Sequence, residues 1–305
     1  MNLSLSRSFP IAKAALAAAV IACTFALACS LTGCASGGTD SSSADADNTS
    51  ASTDGKTLRV AMELAYPPFE TKDDAGNPEG LAVDFIRDFG AAYGYDVQIE
   101  NTAWDGLIPS LQSDKADLVI SSMTITDERK QSVDFSDAYA MAQLAILANA
   151  NSGVASIDDL NQPGKKVAVK TGSTGDVYAT KNLTNAEIVR LADESACVTE
   201  VVQGKADGFL YDQLTIYRNH QANPDTTEAV FIPFQDAEEW GIAVKKGNTE
   251  LLDQLNAFIA QSKTDGEFDR LTEKYLADAK KAFDQYGFKW FFDFEQFQVP
   301  CKAHA

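Results

Sequence analysis

The chain has 305 residues and carries 25 Lys+Arg against 44 Asp+Glu, a formal net charge of −19. So acidic a body lacks the basic footprint that a phosphate backbone demands, which excludes nucleic acid, and it offers nothing to an anionic membrane surface. With two histidines, and no Cys/His group at zinc spacing, the sequence implies no metal site and no cofactor.

The first segment reads as a targeting peptide. Arg7 and Lys13 are its only charges, and residues 14–28 form an apolar run too short for a membrane span. Leu31-Thr32-Gly33-Cys34 then places small residues before a cysteine, as a bacterial lipobox does. Residues 1–33 are therefore expected to leave as a lipoprotein signal peptide. Cys34 becomes an acylated N-terminus whose two chains anchor the protein to a membrane; an uncleaved signal anchor is the alternative. Loss of the two cations takes the net charge from −19 to −21. Residues 34–56, rich in Ser, Thr, Asp, Ala and Gly, form a flexible tether that cannot bury a core. Cys23 and Cys29 leave with the signal, so Cys197 and Cys301 remain, as a disulfide or as two separate thiols.

From Thr57 onward, about 250 residues suit two ordinary domains or one large one. A strand is predicted over 58–62. Ala82, Phe85, Ile86, Phe89 and Tyr93 share one face of a helix that Gly94 stops. Val97 and Ile99 alternate as strand residues do, Leu107, Ile108 and Leu111 mark a second helix, and 117–120 is a strand. A second set follows Asn149, with strands at 167–170, 188–191 and 208–211 and helices at 174–181, 193–203 and 212–219. Leu251, Leu252, Leu255, Phe258 and Ile259, then Phe268, Leu271, Tyr275 and Leu276, give the last helices. The alternation predicts parallel sheets covered on both faces. Three or four strands per set suit two α/β lobes, with the cleft between them as the ligand site. Residues 278–305 break the pattern. Tyr286, Phe288, Trp290, Phe291, Phe292, Phe294 and Phe297 crowd ahead of Pro300-Cys301; they are expected to pack back on a lobe, with partner binding the alternative.

Several clusters fall at strand ends and describe one kind of ligand. In Glu63-Leu64-Ala65-Tyr66-Pro67-Pro68-Phe69, two prolines stiffen the turn and make Tyr66 a candidate pocket wall, core packing being the alternative. Trp104-Asp105-Gly106 offers Trp104 as a second wall and Asp105 as a helix N-cap. Ser121-Ser122-Met123-Thr124-Ile125-Thr126-Asp127-Glu128-Arg129 sets hydroxyls just before a guanidinium that can take a carboxylate bidentately, unless Arg129 pairs with Asp127 or Asp134. Lys170-Thr171-Gly172-Ser173-Thr174-Gly175-Asp176 is a helix-opening loop that can present N–H groups to an anion; it lacks the spacing of a phosphate loop. Asp212, at the end of a strand, can hold an ammonium group, cap a helix, or both. A carboxylate site, an ammonium site and two aromatic walls are what an α-amino acid requires, since each buried charge needs partners.

These motifs, in this order behind a lipobox, resemble the polar amino-acid family of bacterial extracellular solute-binding proteins (family 3) that feed ABC importers. The likeness runs from Leu58 to about Leu276 and includes Tyr66-Pro67-Pro68-Phe69, Trp104-Asp105-Gly106-Leu107-Ile108-Pro109, Thr124 to Arg129, Asp134-Phe135-Ser136 and Gly241-Ile242-Ala243-Val244-Lys245-Lys246-Gly247-Asn248. The resemblance implies a two-lobed, type II periplasmic-binding-protein-like α/β fold joined by two hinge strands. It implies lobe 1 over 57–146 plus 236–277, lobe 2 over 147–235, and a C-terminal extension, 278–305, outside the family pattern. It implies that Tyr66 and Trp104 sandwich the ligand side chain. Arg129 and Thr124, with N–H groups near Ser173 and Thr174, take the α-carboxylate, and Ser122 and Asp212 take the α-ammonium. Glu63, Lys170 and Met123 would set specificity. An acid beside a lysine suits the amide of glutamine, although similar Glu-x-x-Tyr-Pro-Pro turns occur in cystine and arginine binders. The implied partners are a membrane permease and the lipid at Cys34, the implied location is extracytoplasmic, and the implied state is a monomer. The rival readings are an enzyme like cyclohexadienyl dehydratase and a free-standing amino-acid sensor. Glu63 is the one unassigned acid an enzyme could use, and no second carboxylate-binding arginine is present; a receptor module would continue into a transmembrane helix and a further domain.

Overall fold

The computed structural model describes residues 56–286 and 289–294. The segment through Cys34, the tether up to Gly55, and Cys301 lie outside them. β1 (Lys56–Met62) ends in Val60, Ala61 and Met62, all buried, as a central strand covered on both faces requires. A small hairpin, β2 (Thr71–Lys72) and β3 (Pro78–Glu79), precedes α1 (Leu81–Tyr93). This helix buries Ala82, Phe85, Ile86 and Phe89 and stops at Gly94, whose φ of 74° lets its N–H return to Gly90 O. β4 (Tyr95–Asn101) follows, and a 3-10 turn at Trp104–Gly106 opens α2 (Leu107–Gln112). Asp105 does not cap α2 as its position predicts. It lies inside the turn, and neither turn nor helix has a side-chain cap.

The chain continues through β5 (Leu118–Val119), α3 (Asp127–Lys130), β6 (Val133–Phe135), β7 (Ala140–Ala142), β8 (Leu144–Asn149) and α4 (Ile157–Leu160). Then come β9 (Lys166–Lys170), α5 (Thr174–Asn182), β10 (Glu187–Leu191), α6 (Glu194–Val202), β11 (Gly208–Asp212), α7 (Gln213–Ala222) and β12 (Thr227–Val230). The last elements are β13 (Glu238–Trp240), β14 (Ala243–Lys245), α8 (Thr249–Ser262), α9 (Glu267–Tyr275) and α10 (Ala277–Tyr286).

Two five-stranded sheets result, ordered β4-β1-β5-β14-β6 and β10-β9-β11-β8-β12. Each has a parallel core, β4-β1-β5 and β10-β9-β11, but neither is parallel throughout. β14 runs antiparallel to β5 and β6, and β8 antiparallel to β11 and β12. The cause is connectivity. A parallel neighbour needs a crossover helix, whereas β8 and β14 arrive straight from the other lobe. β7 carries the chain from β6 of the first sheet to β8 of the second, β13 carries it back from β12 to β14, and the two pair antiparallel. These are the hinge strands of a two-lobed α/β fold.

The first lobe's core runs from β1 and α1 through Trp240 and α8 to the C-terminal segment. Phe291 is fully buried, 5.2 Å from the Phe69 ring and 5.5 Å from Trp240, and its carbonyl accepts from Met141 N of β7 at 2.7 Å. Trp290, Phe291 and Phe292 of the aromatic extension therefore pack back as expected, the Phe292 ring stacking on Phe268, whereas Phe288 and Phe297 lie outside the described residues. The second lobe has a cluster on each face of its sheet. Cys197 is a buried free thiol in one of them, beside Val201 and Phe209.

Candidate functional site

Strand ends from both sheets converge on a cavity of about 40 Å³ between the lobes. Tyr66 enters from the turn after β1. A backbone pair with Glu70, at 2.8 and 2.9 Å, holds that turn shut. Tyr66 is 7% exposed, packs against Phe69 and Trp240, and donates its hydroxyl hydrogen to Asp212 Oδ1 at 2.8 Å. Tyr66 is part of the first lobe's core and also borders the cavity. Trp104, half-buried, also lines the cavity, with the Arg129 guanidinium 5.2 Å and the Lys170 ammonium 5.1 Å from its ring centre.

Asp212 closes β11 and caps α7, the structural role the sequence offered for it. Its Oδ1 accepts from Leu214 N at 2.9 Å and Thr215 N at 3.1 Å. Its Oδ2 is buried with no hydrogen-bond partner. A buried carboxylate oxygen without a donor is costly, and here it belongs to a residue that lines the cavity. Burial holds this carboxyl above the usual range, while Tyr66 and the helix amides pull it back down.

Arg129 pairs with neither Asp127 nor Asp134, whose nearest cations are Lys130 and Lys246, each at 3.9 Å. It donates from Nη1 to Thr124 O at 2.7 Å and from Nη2 to Gly172 O at 3.1 Å, spanning both lobes. The rest of the planar fork remains for an acceptor, and Glu238 is the carboxylate whose field acts on it most. Thr124 and Thr174 both donate to Glu238 Oε2 at 2.8 Å. Lys170, 4% exposed, makes a short ion pair with Glu63 across the cleft.

Ser122 lines the cavity with φ at 47°, a left-handed conformation uncommon for serine. Its hydroxyl donates to Glu70 Oε2 at 3.2 Å.

Two expectations are corrected. Met123 does not face the cavity. Beyond the turn at Ser122 its side chain enters the core with Leu107, Leu111 and Val119. Ser173 lines the cavity, but its N–H donates to Lys170 O at 3.0 Å and its hydroxyl accepts from Asp176 N at 3.2 Å. The N–H of Thr171 donates to Leu191 O of β10 at 2.8 Å and that of Gly172 to Asp176 Oδ2 at 3.0 Å, while Thr174 lines the cavity and its hydroxyl donates to Glu238. Glu70 and Glu238 were not legible as site residues. Both line the cavity, and burial pushes both carboxyls up from the usual range. Glu194, behind Asp212, is pushed up to about 8 by burial. Among the described residues no group of three or more His, Cys, Asp or Glu is placed to hold a metal ion.

Residues 58–278 match the Bacterial extracellular solute-binding proteins, family 3. A probable histidine-binding protein of Neisseria gonorrhoeae is 35% identical over 258 residues, covering 83% of this chain and 94% of its own. The L-cystine-binding protein TcyJ of Escherichia coli (strain K12) is 33% identical over 228 residues, covering 74% and 85%. Among solved structures, an ancestral arginine-binding protein bound to arginine superposes with a TM-score of 0.67 at 37% identity, covering 72% of this chain and 98% of the other. The ancestral amino acid-binding protein AncCDT-1, a precursor of cyclohexadienyl dehydratase, gives 0.65 at 38%, covering 72% and 94%.

Proposed function

We propose, from the premise that this chain belongs to the bacterial extracellular solute-binding proteins of family 3, that it captures a neutral polar α-amino acid, glutamine foremost, between its lobes and delivers it to a membrane ABC permease. The carrying observation is Asp212 Oδ2, a buried carboxylate oxygen on the cavity with no partner. An α-ammonium satisfies it, with Ser122 beside it. Arg129, Thr124 and Thr174 then take the α-carboxylate, and Tyr66 and Trp104 flank the side chain. Glu63 and Lys170 supply an acceptor and a donor, which an amide uses together. Charge balance supports a neutral side chain. The Glu63–Lys170 pair cancels internally, and burial favours the neutral forms of Glu70 and Glu194. The relatives' names point to histidine, cystine and arginine as the competing ligands.

A cavity of about 40 Å³ is far below ligand size. The lobes therefore part to load and close on the ligand, which favours the closed form by touching both lobes. The lipobox supports a location outside the cytoplasm with Cys34 as the lipid anchor, and we place the protein there as a monomer.

The test is a thermal-shift screen of the purified protein against glutamine, histidine, arginine and cystine. The true ligand at a hundredfold excess over Kd should add roughly 2.7 kcal/mol of stability, and Arg129→Ala should abolish the shift without unfolding the protein. A shift with arginine alone would move the assignment to a cationic side chain, and no shift with any amino acid would sink it.

A further inference from the structure

The carboxylate subsite proposed above already holds a carboxylate of the protein itself. Glu238 Oε2 accepts from Thr124 Oγ1 and from Thr174 Oγ1, both at 2.8 Å. Its Oε1 accepts from Gln235 Nε2 at 2.8 Å, and Arg129 is the cation that acts on it. Two hydroxyl donors beside a guanidinium are the chemistry that a free α-carboxylate would seek. The donors also belong to different lobes. Thr124 follows β5 in the first and bridges to Trp240, while Thr174 opens α5 in the second. Glu238 itself begins β13, held against Ala142 of the other hinge strand. One side chain rooted in the hinge thus ties both lobes, and the tie exists only while they are closed.

We propose that Glu238 is an internal competitor for the ligand's carboxylate: it latches the closed lobes by bridging Thr124 and Thr174, and an incoming amino acid must displace it. This rests on the amino-acid reading above. The displaced side chain has somewhere to go. Thr124, Thr174 and Glu238 also border a neighbouring groove of about 800 Å³ that runs past Gln143 and Lys181. The latched form weakens apparent affinity by the factor by which it outweighs the unlatched forms.

The experiment compares wild type with Glu238→Gln, which keeps the side chain's size and removes its charge. The radius of gyration is measured by small-angle scattering without ligand, and Kd is measured by calorimetry with glutamine and, in parallel, with arginine. Wild type without ligand should be compact. Glu238→Gln should be more expanded and bind about tenfold tighter. A variant as compact as wild type, or one whose Kd is unchanged or higher, overturns the proposal. Gln235→Ala removes the bond that aims Glu238 and spares every proposed ligand contact. It should shift both readouts the same way by less, and it decides the matter if Glu238→Gln does not fold. Should wild type bind no amino acid, the amino-acid reading falls on its own; the scattering comparison still decides the latch, with an expanded variant supporting it and a compact one refuting it.

Discussion

Asp212 divides two duties between its two oxygens. Oδ1 is fully committed, to Tyr66 and to two amides of α7, while Oδ2 is buried and unpaired. Asp212→Asn keeps an acceptor for the cap and replaces the unpaired Oδ2 by an uncharged NH2 donor. The helix should survive, with thermal stability close to wild type. Removing one partner of a buried ion pair costs about 2–5 kcal/mol, so affinity for the α-amino acid should fall by at least about thirtyfold by calorimetry, while analogues lacking the α-ammonium lose far less. Equal losses for both would remove the assigned role. The sequence singled out Asp212, Arg129 and Trp104 from local patterns, and the structure brings all three to one cavity: Asp212 ends β11, Trp104 follows β4 and Arg129 sits in α3. Glu70 and Glu238 were not singled out. Glu70 reads as a solvated charge after Phe69, and only the closed turn at Tyr66 and the fold above it bring it to 1% exposure. Glu238 lies in a short strand with no motif, and the residues that bind it are far away in sequence, at Thr124 and Thr174.

At the scale of elements, periodicity located the parallel strands β1, β4, β5, β9, β10 and β11 and the longer helices, because each buries one stripe or one face, but it did not locate β6, β8, β12 or β14. Strand direction was less legible. A parallel order follows from alternating strands and helices, but β8 and β14 reverse it because they leave the hinge without a crossover helix. Close packing of an element is equally a matter of contact. Gly175 lies in the first turn of α5, where alanine would be preferred on propensity by up to about 1 kcal/mol. A Cβ there would sit 2.5 Å from the Leu210 carbonyl oxygen in β11, a backbone atom that cannot turn aside. Overpacking of this kind costs about 1–3 kcal/mol, so contact outweighs propensity. Gly175→Ala should lower the thermal midpoint and, by pushing Thr174 outward, weaken binding. An unchanged or higher midpoint would show that α5 can shift freely from its sheet.

On the scale of the whole molecule, closure gathers carboxyls that water would otherwise keep apart. Glu70, Glu194, Asp212 and Glu238 are all raised by burial, Glu194 to about 8, with Asp212 and Glu63 adding to the rise and Lys170 and Arg218 opposing it. A carboxyl with a raised folded pKa binds its proton more tightly in the folded than in the unfolded chain, where a glutamate titrates near about 4.3. Stability must then fall as pH rises from that value towards 8. Asp84, tied to Lys274 and Tyr275, and Asp117, tied to Arg59, act in the opposite sense. Their folded pKa is depressed, so their stabilisation is present above the unfolded aspartate value of about 3.9 and is lost only as pH falls below it. The two sets together place the stability maximum near pH 5. Growing negative charge would also destabilise the protein at high pH, so the wild-type profile alone does not isolate the buried acids. Glu194→Gln does, because it removes one raised carboxyl and leaves the other surface charges in place. Thermal midpoints across pH 4 to 9 should peak near 5 in the wild type and decline less steeply towards 8 in the variant. A parallel decline in both would show that Glu194 ionises freely and that the cleft carries one more negative charge than the neutral-ligand reading allows.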